Sequence, residues 1–352
     1  MRTGIDEDLR QGQNELFMNP DVETARAFFR GKSREMKPKL STARKAVAEM
    51  VHDGDYIAIG GFGANRIPTA IVHEVVRQGK KNLGFAGHTS THDFQLLVAG
   101  DCIRRLDIAY IIGLEARGLS PNARRAVESG AIRLTEWTNA ALAWRLKAAA
   151  MGIPFIPARN MLGTDTFRCS AARTIRCPYT DQKLVAYPAL FPDFAAIHVH
   201  EADIYGNCRT YGVTIADQDL ARASKRVVIT TERIVPTETF RSHPERTLIP
   251  YWCVDAVIEV PFGSYPGNMP YEYFSDEEYL NRWLAMEKDP DGFARFLQEQ
   301  IYGVKDFNEY LTLKGGIEKM EKLRALELLY NDAWAAGVKD GTSRGGGETD
   351  NG

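Results

Sequence analysis

Residues 53–78 read DGDYIAIGGFGANRIPTAIVHEVVRQ, and this stretch decides the class of fold. Asp53-Gly54-Asp55 is turn chemistry, and Tyr56 to Gly60 is a short apolar run bounded by it. Gly61-Phe62-Gly63 then breaks the run before a helical pattern that begins near Pro68 and continues to Gln78. Proline is favourable in a first helical turn, where its missing N–H leaves no bond unmade. A strand, a glycine turn and a helix in immediate succession make one βα unit.

The same grammar recurs along the chain. Apolar runs at Leu83 to Ala86, Ile108 to Ile112, Ile132 to Thr135, Pro154 to Ile156, Leu184 to Tyr187, Ala195 to Val199, Val227 to Thr230 and Val254 to Val260 predict strands. Helices are predicted at Ser41 to His52, Asn122 to Ser129, Ala140 to Met151 and Ile215 to Arg222. Strands alternating with helices predict an α/β fold, an open and mostly parallel sheet flanked by helices. No linker interrupts residues 41–270.

The flanks read differently. Residues 1–40 are polar, with one short helix at Asp21 to Arg30, and are read as an N-terminal extension. The α/β domain is assigned to 41–275. Aromatic and charged composition after Pro261-Phe262-Gly263 predicts a C-terminal helical annex over 276–338, with helices at Asp276 to Met286, Asp289 to Tyr302, Phe307 to Thr312 and Gly316 to Trp334. The Gly-rich end, 339–352, has too little apolar surface to order itself and is expected to be a disordered tail.

Composition narrows the function. In 352 residues, 44 Lys and Arg balance 46 Asp and Glu for a net charge of −2, so bulk electrostatics give no reason to expect a nucleic-acid or membrane-surface partner. No uncharged apolar run approaches the ~20 residues that span a bilayer, and MRTGIDEDLRQGQNEL lacks the apolar core of a secretory signal. A cytoplasmic enzyme is expected. The five cysteines, Cys102, Cys169, Cys177, Cys208 and Cys253, include no CxxC and are read as free thiols.

Several polar clusters follow predicted strands, where α/β proteins bind ligands. Gly60 to Gly63 could bring backbone N–H groups to an anionic oxygen at a helix start, or could simply make a tight turn; the run is not GxGxxG. Gly87-His88-Thr89-Ser90-Thr91-His92 does not read as helical between its histidines, and with no HExxH no metal site is expected. Glu115, in Gly113 to Gly118, could be a nucleophile, a base or a positioning group, or a solvated partner of Arg117. Asn139 could donate to an oxyanion or cap the following helix. Gly163-Thr164-Asp165 and Gly206-Asn207 are explained by turn chemistry, and His198 is read as structural. Neither a GxSxG elbow nor a Walker loop is present.

Four separated motifs occur in the order of one family. DGDYIAIGGFGANRIPTAIVHEVVRQGKKNL, the run from GLEARGLSPNARRAVESG to PARNMLGTD, IHVHEADIYGNCRTYG and CVDAVIEVPFGSYPGNM resemble the α subunits of class I coenzyme A transferases, nearest to the glutaconate type. The resemblance covers roughly residues 40–312 and includes KDFNEYLTLKG in the annex. It implies an open α/β fold paired with a homologous β subunit in a hetero-oligomer such as α2β2 or larger, with the active site between subunits. No permanent cofactor is implied; the CoA thioester is the substrate. A glutamate on the β subunit would attack the acyl-CoA, giving an anhydride and then an enzyme CoA thioester that a second carboxylic acid accepts.

By position in the family, Gly61, Phe62, Gly63, Arg66, His88, Thr89 and Ser90 would bind the substrate's carboxylate, and Glu115 and Asn139 would act beside the partner's glutamate. The loop GGFGANRIP departs from the polar run typical of glutaconate enzymes. Relatives on this fold include a ring-opening C–C hydrolase of steroid degradation and a decarboxylase. In the hydrolase type an acidic residue stands in the stretch matching Glu136 to Asn139, where this chain has Glu136 and the amide Asn139. The expectation is a transferase. A hydrolase with Glu115 or Glu136 as base, or a decarboxylase subunit, is the alternative, and a non-catalytic ligand-sensing subunit the third reading.

Overall fold

Tyr56–Ile59 forms strand β1, and all four residues are buried, as a central parallel strand requires when helices cover both faces of its sheet. The computed structural model describes residues 10–110 and 118–339. The other strands are β2 (Leu83–Gly87), β3 (Ile103–Ile108), β4 (Arg133–Glu136), β5 (Phe155–Ala158), β6 (Arg173–Arg176), β7 (Lys183–Pro188), β8 (Phe194–Ala202), β9 (Cys208–Arg209), β10 (Arg226–Ile234) and β11 (Ala256–Glu259). Among the described residues the main sheet has the order β11-β10-β8-β1-β2-β3-β4, all parallel, with β9 antiparallel on β8. A smaller antiparallel sheet has the order β5-β7-β6.

The expected open parallel sheet is present, and its order locates a crevice. Strands are added outward from β1 in both directions: Ile57 is in register with Phe85 of β2 on one side and Phe194 of β8 on the other. At such a reversal the loops leaving the carboxyl ends diverge, which opens the usual ligand position of an α/β sheet.

Side-chain alternation on β1 divides the core. Ile57 and Ile59 enter a cluster with the helix Thr69–Arg77, while Tyr56 and Ala58 enter a second cluster with the helices Asn139–Met151 and Asp217–Ala223. The C-terminal helices Glu277–Met286, Pro290–Leu297 and Phe307–Leu313 join the first cluster through Trp283, Phe293, Phe296 and Tyr310. His73 packs edge-on against Phe307 and Tyr310, with ring centroids 5.3 and 4.5 Å away. The fully buried Glu287 accepts hydrogen bonds from Gln95 (2.8 Å), the Trp283 indole (3.0 Å) and the Ser120 hydroxyl (2.5 Å). The annex therefore shares a core with the sheet.

Three local expectations change. The third strand is Ile103–Ile108, earlier than the predicted Ile108 to Ile112; Arg104 and Arg105 hide it in the sequence, but their side chains lie half-buried while Ile103, Leu106 and Asp107 face the core. Ile111 and Ile112 lie outside the described residues. The helix His92–Ala99 has buried residues from His92 to Leu97, and a helix buried all round carries no apolar stripe to read. The short strand β6 carries no clear apolar run either, since arginines stand at both of its ends.

Residues 10–40 lie along this chain's own α/β unit. Gly12 N–H donates to the Ala172 carbonyl at 2.8 Å and Lys39 N–H to that of Ile204 at 2.8 Å. Lys32 Nζ reaches Asp255 at 2.7 Å and the carbonyls of Cys253 and Lys225 at 2.9 and 3.0 Å. The last helix, Gly316–Lys339, runs past the predicted Trp334, and residues 340–352 lie outside the described residues.

Candidate active site

The loop after β1 is shaped by two left-handed residues. Gly61 has φ +89°, and a Cβ there would stand 2.5 Å from the Asn65 carbonyl oxygen, so only glycine fits. Phe62 and Asn65 exchange backbone hydrogen bonds of 2.9 and 3.0 Å, closing the turn. Arg66 has φ +58°, an uncommon conformation for a side chain of this size. Its guanidinium compensates for that cost. Fully buried, it donates from Nη1 to Asp217 Oδ2 at 2.7 Å and from Nη2 to the Val213 carbonyl at 2.7 Å.

Asp217 braces both ends of the loop, because its Oδ1 also accepts the Gly61 N–H at 2.9 Å. Arg66 thus sits beneath the loop rather than on the cleft surface where a substrate carboxylate would meet it. A buried guanidinium without its carboxylate would carry a large desolvation penalty, which ties it to Asp217.

The second loop follows β2. Gly63 N–H donates to the Thr89 carbonyl at 2.8 Å, joining the two loops. His88 is nearly buried, 5.6 Å from the Phe62 ring between centroids. Burial lowers its pKa, offset in part by a hydrogen bond to the Asn139 backbone and by Asp217, so the ring is neutral near pH 7. Ser90 points inward, its hydroxyl on Asp93, whose carboxyl burial pushes up to about 6. His92 contacts Thr69 through Nε2 at 3.0 Å and Thr91 through Nδ1 at 3.2 Å.

Asn139 occupies the first turn of its helix, and the cap is the neighbouring Thr138, whose hydroxyl accepts the Ala141 N–H at 3.1 Å. The capping explanation therefore belongs to Thr138. The Asn139 side chain is available to the cleft, with Oδ1 3.4 Å from the Thr89 hydroxyl.

Phe62, Gly63, Thr89 and Asn139 come together around a cleft of about 560 Å³. Sequence reasoning misses Asn65, Tyr110, Asn268, Phe274, Ser275 and Glu277, which complete its wall. Asn268 Nδ2 donates to Asn65 Oδ1 at 2.6 Å, and its backbone pairs with Ala64 and Arg66. The only signal for Asn268 is its place in the motif CVDAVIEVPFGSYPGNM. Gly61 and His88 instead line a small void under the loop with Asp217. Glu115 lies outside the described residues.

The remaining polar candidates have structural partners. His198 Nδ1 lies 2.8 Å from Thr230 and Nε2 2.7 Å from Glu232, so it is structural, as expected. Glu232 also accepts the Tyr273 hydroxyl at 2.8 Å and the Phe262 N–H at 2.8 Å. Thr164 caps a short helix through the Phe167 N–H, and Asp203 gathers the N–H groups of Gly206 and Asn207. Glu136, at the end of β4, has its pKa raised by partial burial and by the charge of Asp165.

Such a cleft can hold a polar acyl group by neutral amide and hydroxyl donors at the carboxyl ends of parallel strands. Residues 40–260 match the family model described as coenzyme A transferase. The chain belongs to the coenzyme A transferase family. It is 34% identical to the α-type subunit of 3-oxoadipate CoA-transferase from Pseudomonas knackmussii over 77% of this chain and 96% of that one. The α-type subunit of glutaconate CoA-transferase from Acidaminococcus fermentans is 31% identical over 79% and 92%. The crystal structure of that glutaconate enzyme superposes with a TM-score of 0.78 at 29% identity, covering 81% of this chain and 95% of the other.

Other chemistry exists on the same fold. The cholesterol ring-cleaving hydrolase IpdA subunit of Rhodococcus jostii is 30% identical over 74% and 91% of the two chains. The decarboxylase AibA/AibB superposes with a TM-score of 0.68 at 31% identity, over 76% and 98%. Among the described residues of this CoA-transferase family member, no helix is long and apolar enough to cross a membrane.

Proposed function

We propose that this CoA-transferase works as an α subunit that binds the acyl part of an acyl-CoA and a carboxylic acid acceptor beside a homologous β subunit, which supplies the nucleophilic glutamate. The observation that carries this reading is the Asn139 side chain, released from capping by Thr138 and set against Thr89 in the cleft. In the first step the partner's carboxylate oxygen bonds to the thioester carbonyl carbon and CoA leaves as thiolate, giving a mixed anhydride. The thiolate then attacks the glutamyl carbonyl, the donor acid departs as a carboxylate, and an enzyme CoA thioester remains. The acceptor acid reverses both steps.

Negative charge develops on the thioester oxygen in the first attack, and amide or hydroxyl donors placed there stabilise it more than they stabilise the ground state. Asn139 takes that role here. Thr89 and Asn65 orient the acyl group, Phe62 covers it, and Arg66 holds the loop in shape. Glu115 is assigned to the same site from its place in the sequence motif.

Co-expression with the partner subunit tests the reading. The complex should move CoA from an acyl-CoA to acetate or a dicarboxylate, and hydroxylamine or borohydride should trap a glutamyl thioester. Asn139→Ala should lower kcat by about 10²-fold, the usual loss for one oxyanion donor, with little change in melting temperature. Release of free CoA without an acceptor, and no trapped thioester, would instead establish the second reading, a hydrolase. That reading is favoured by the raised pKa of Glu136, which suits a general base.

A further inference from the structure

A strongly cationic cavity lies at the opposite end of the sheet from the cleft. It has a volume of about 290 Å³, and Arg26, Lys32, Arg34 and Arg222 line it with no carboxylate among its lining residues. In a chain of net charge −2 this is a local concentration of positive potential. The four cations are not equivalent. Lys32 is bonded to Asp255 and Arg26 to Glu23 and the Gly152 carbonyl, so both hold the wall together. Arg34 and Arg222 are exposed and have no ion pair or hydrogen bond in the described structure. Between them stands Trp252, 49% exposed, with Phe29 on the same wall.

Two unpaired guanidinium groups beside an exposed indole are complementary to one kind of small ligand: a planar ring that stacks on Trp252, joined to a phosphate that accepts from the arginine forks. We infer that this cavity is a second binding site for a purine nucleotide phosphate. Its volume sits at the lower end of small-ligand pockets, which suits a nucleotide rather than a complete acyl-CoA. The same chemistry is present in a free nucleotide and in the nucleotide end of coenzyme A.

The place of the cavity separates it from the acyl cleft. Helix Asn139–Met151 begins in the cleft and ends at the cavity, where Met151 and Gly152 form part of its rim. Its length, 13 residues, puts roughly 20 Å between the two sites. Helix Asp217–Ala223 likewise starts at the loop brace and carries Arg222 at its other end.

Isothermal titration of the full chain with ADP at low ionic strength tests the inference independently of turnover. ADP should bind saturably, with adenosine and inorganic phosphate each much weaker, because each lacks half of the recognised chemistry. Arg34→Ala and Arg222→Ala should each weaken ADP on the order of tenfold, as loss of a charge-assisted hydrogen bond does. Trp252→Ala should do the same through lost stacking, and Asn139→Ala should leave ADP affinity unchanged. If coenzyme A displaces ADP and loses affinity in the two arginine variants, the source is the cofactor's nucleotide end; if it does not compete, the source is free nucleotide. Absence of ADP binding, or equal binding by an Arg34→Ala/Arg222→Ala double variant that remains folded by circular dichroism, overturns the inference.

Discussion

Two buried arginine–aspartate pairs serve opposite purposes in this molecule. Arg66–Asp217 and Arg145–Asp107 have the same N–O separation, 2.7 Å, and none of the four side chains is more than 2% exposed. Arg145 lies over the Trp137 ring at 4.1 Å and also donates to the Pro188 carbonyl. Asp107 accepts Trp137 Nε1 at 2.5 Å and the Tyr56 hydroxyl as well. That pair joins β3, β1 and the helix Asn139–Met151 inside regular structure. The Arg66 pair joins a left-handed loop to a helix start. Identical chemistry yields global cohesion in one place and local shape in the other, because the surroundings decide how far the loss of a partner spreads.

The largest expected effect tests the core pair. Asp107→Ala strands a buried guanidinium and leaves the Trp137 and Tyr56 donors unmatched, so urea unfolding should show a loss of about 3–5 kcal/mol; a loss below about 1 kcal/mol, the range of an exposed pair, would refute the assignment of cohesion to this pair.

Asp93 sharpens the contrast, being a buried carboxylate whose described partners are N–H and hydroxyl groups. Its folded pKa, about 6, exceeds the ordinary aspartate value of 3.8. The folded state therefore binds the proton more tightly, so this group favours folding below about pH 4 and the contribution is lost as pH rises through 6. The shift corresponds to at most about 3 kcal/mol. Denaturation of Asp93→Asn, which cannot ionise, should show a smaller decline in stability between about pH 4 and pH 7 than the unaltered chain; identical pH profiles would remove Asp93 from the account.

Asp217→Asn keeps the shape of the brace but removes the charge on Arg66's partner. Stability should fall by about 1.5–3 kcal/mol, the range for hydrogen bonds to charged groups. Turnover of the assembled enzyme should fall more than the change in KM explains, because the loop and its neighbours lose alignment. Unchanged kcat with lower stability would place Asp217 in the same class as Asp107. The smallest effect belongs to Thr138→Ala, about 1 kcal/mol for a lost helix cap, measured by thermal unfolding; a null result would return the capping role to Asn139.

The glycine loop, β1 and the helix after it are legible in the sequence because each depends on local rules: apolar runs, a positive φ that glycine accommodates, and a helix start at proline. Phe62, Gly63, Thr89 and Asn139, site residues by their place in the motifs, do meet at the cleft. Arg66 does not face the substrate as expected; an arginine in a polar loop looks solvated. Its burial depends on Asp217, 151 positions further on, which no local pattern connects to it. Ser90 departs from expectation for the same reason, since the direction of a loop side chain depends on the Asp93 beneath it.

Local sequence by itself determined the alternation of strands and helices, the family motifs and the balance of charge, because these are properties of neighbouring residues and of composition. Tertiary structure alone decided the strand order that opens the crevice beside β1, the union of Asn65 with Asn268, and the gathering of four cations at the far end of the sheet. Those features come from surfaces far apart in the chain. Which surfaces meet is set by the packing of both faces of the sheet, and local propensity carries no record of it.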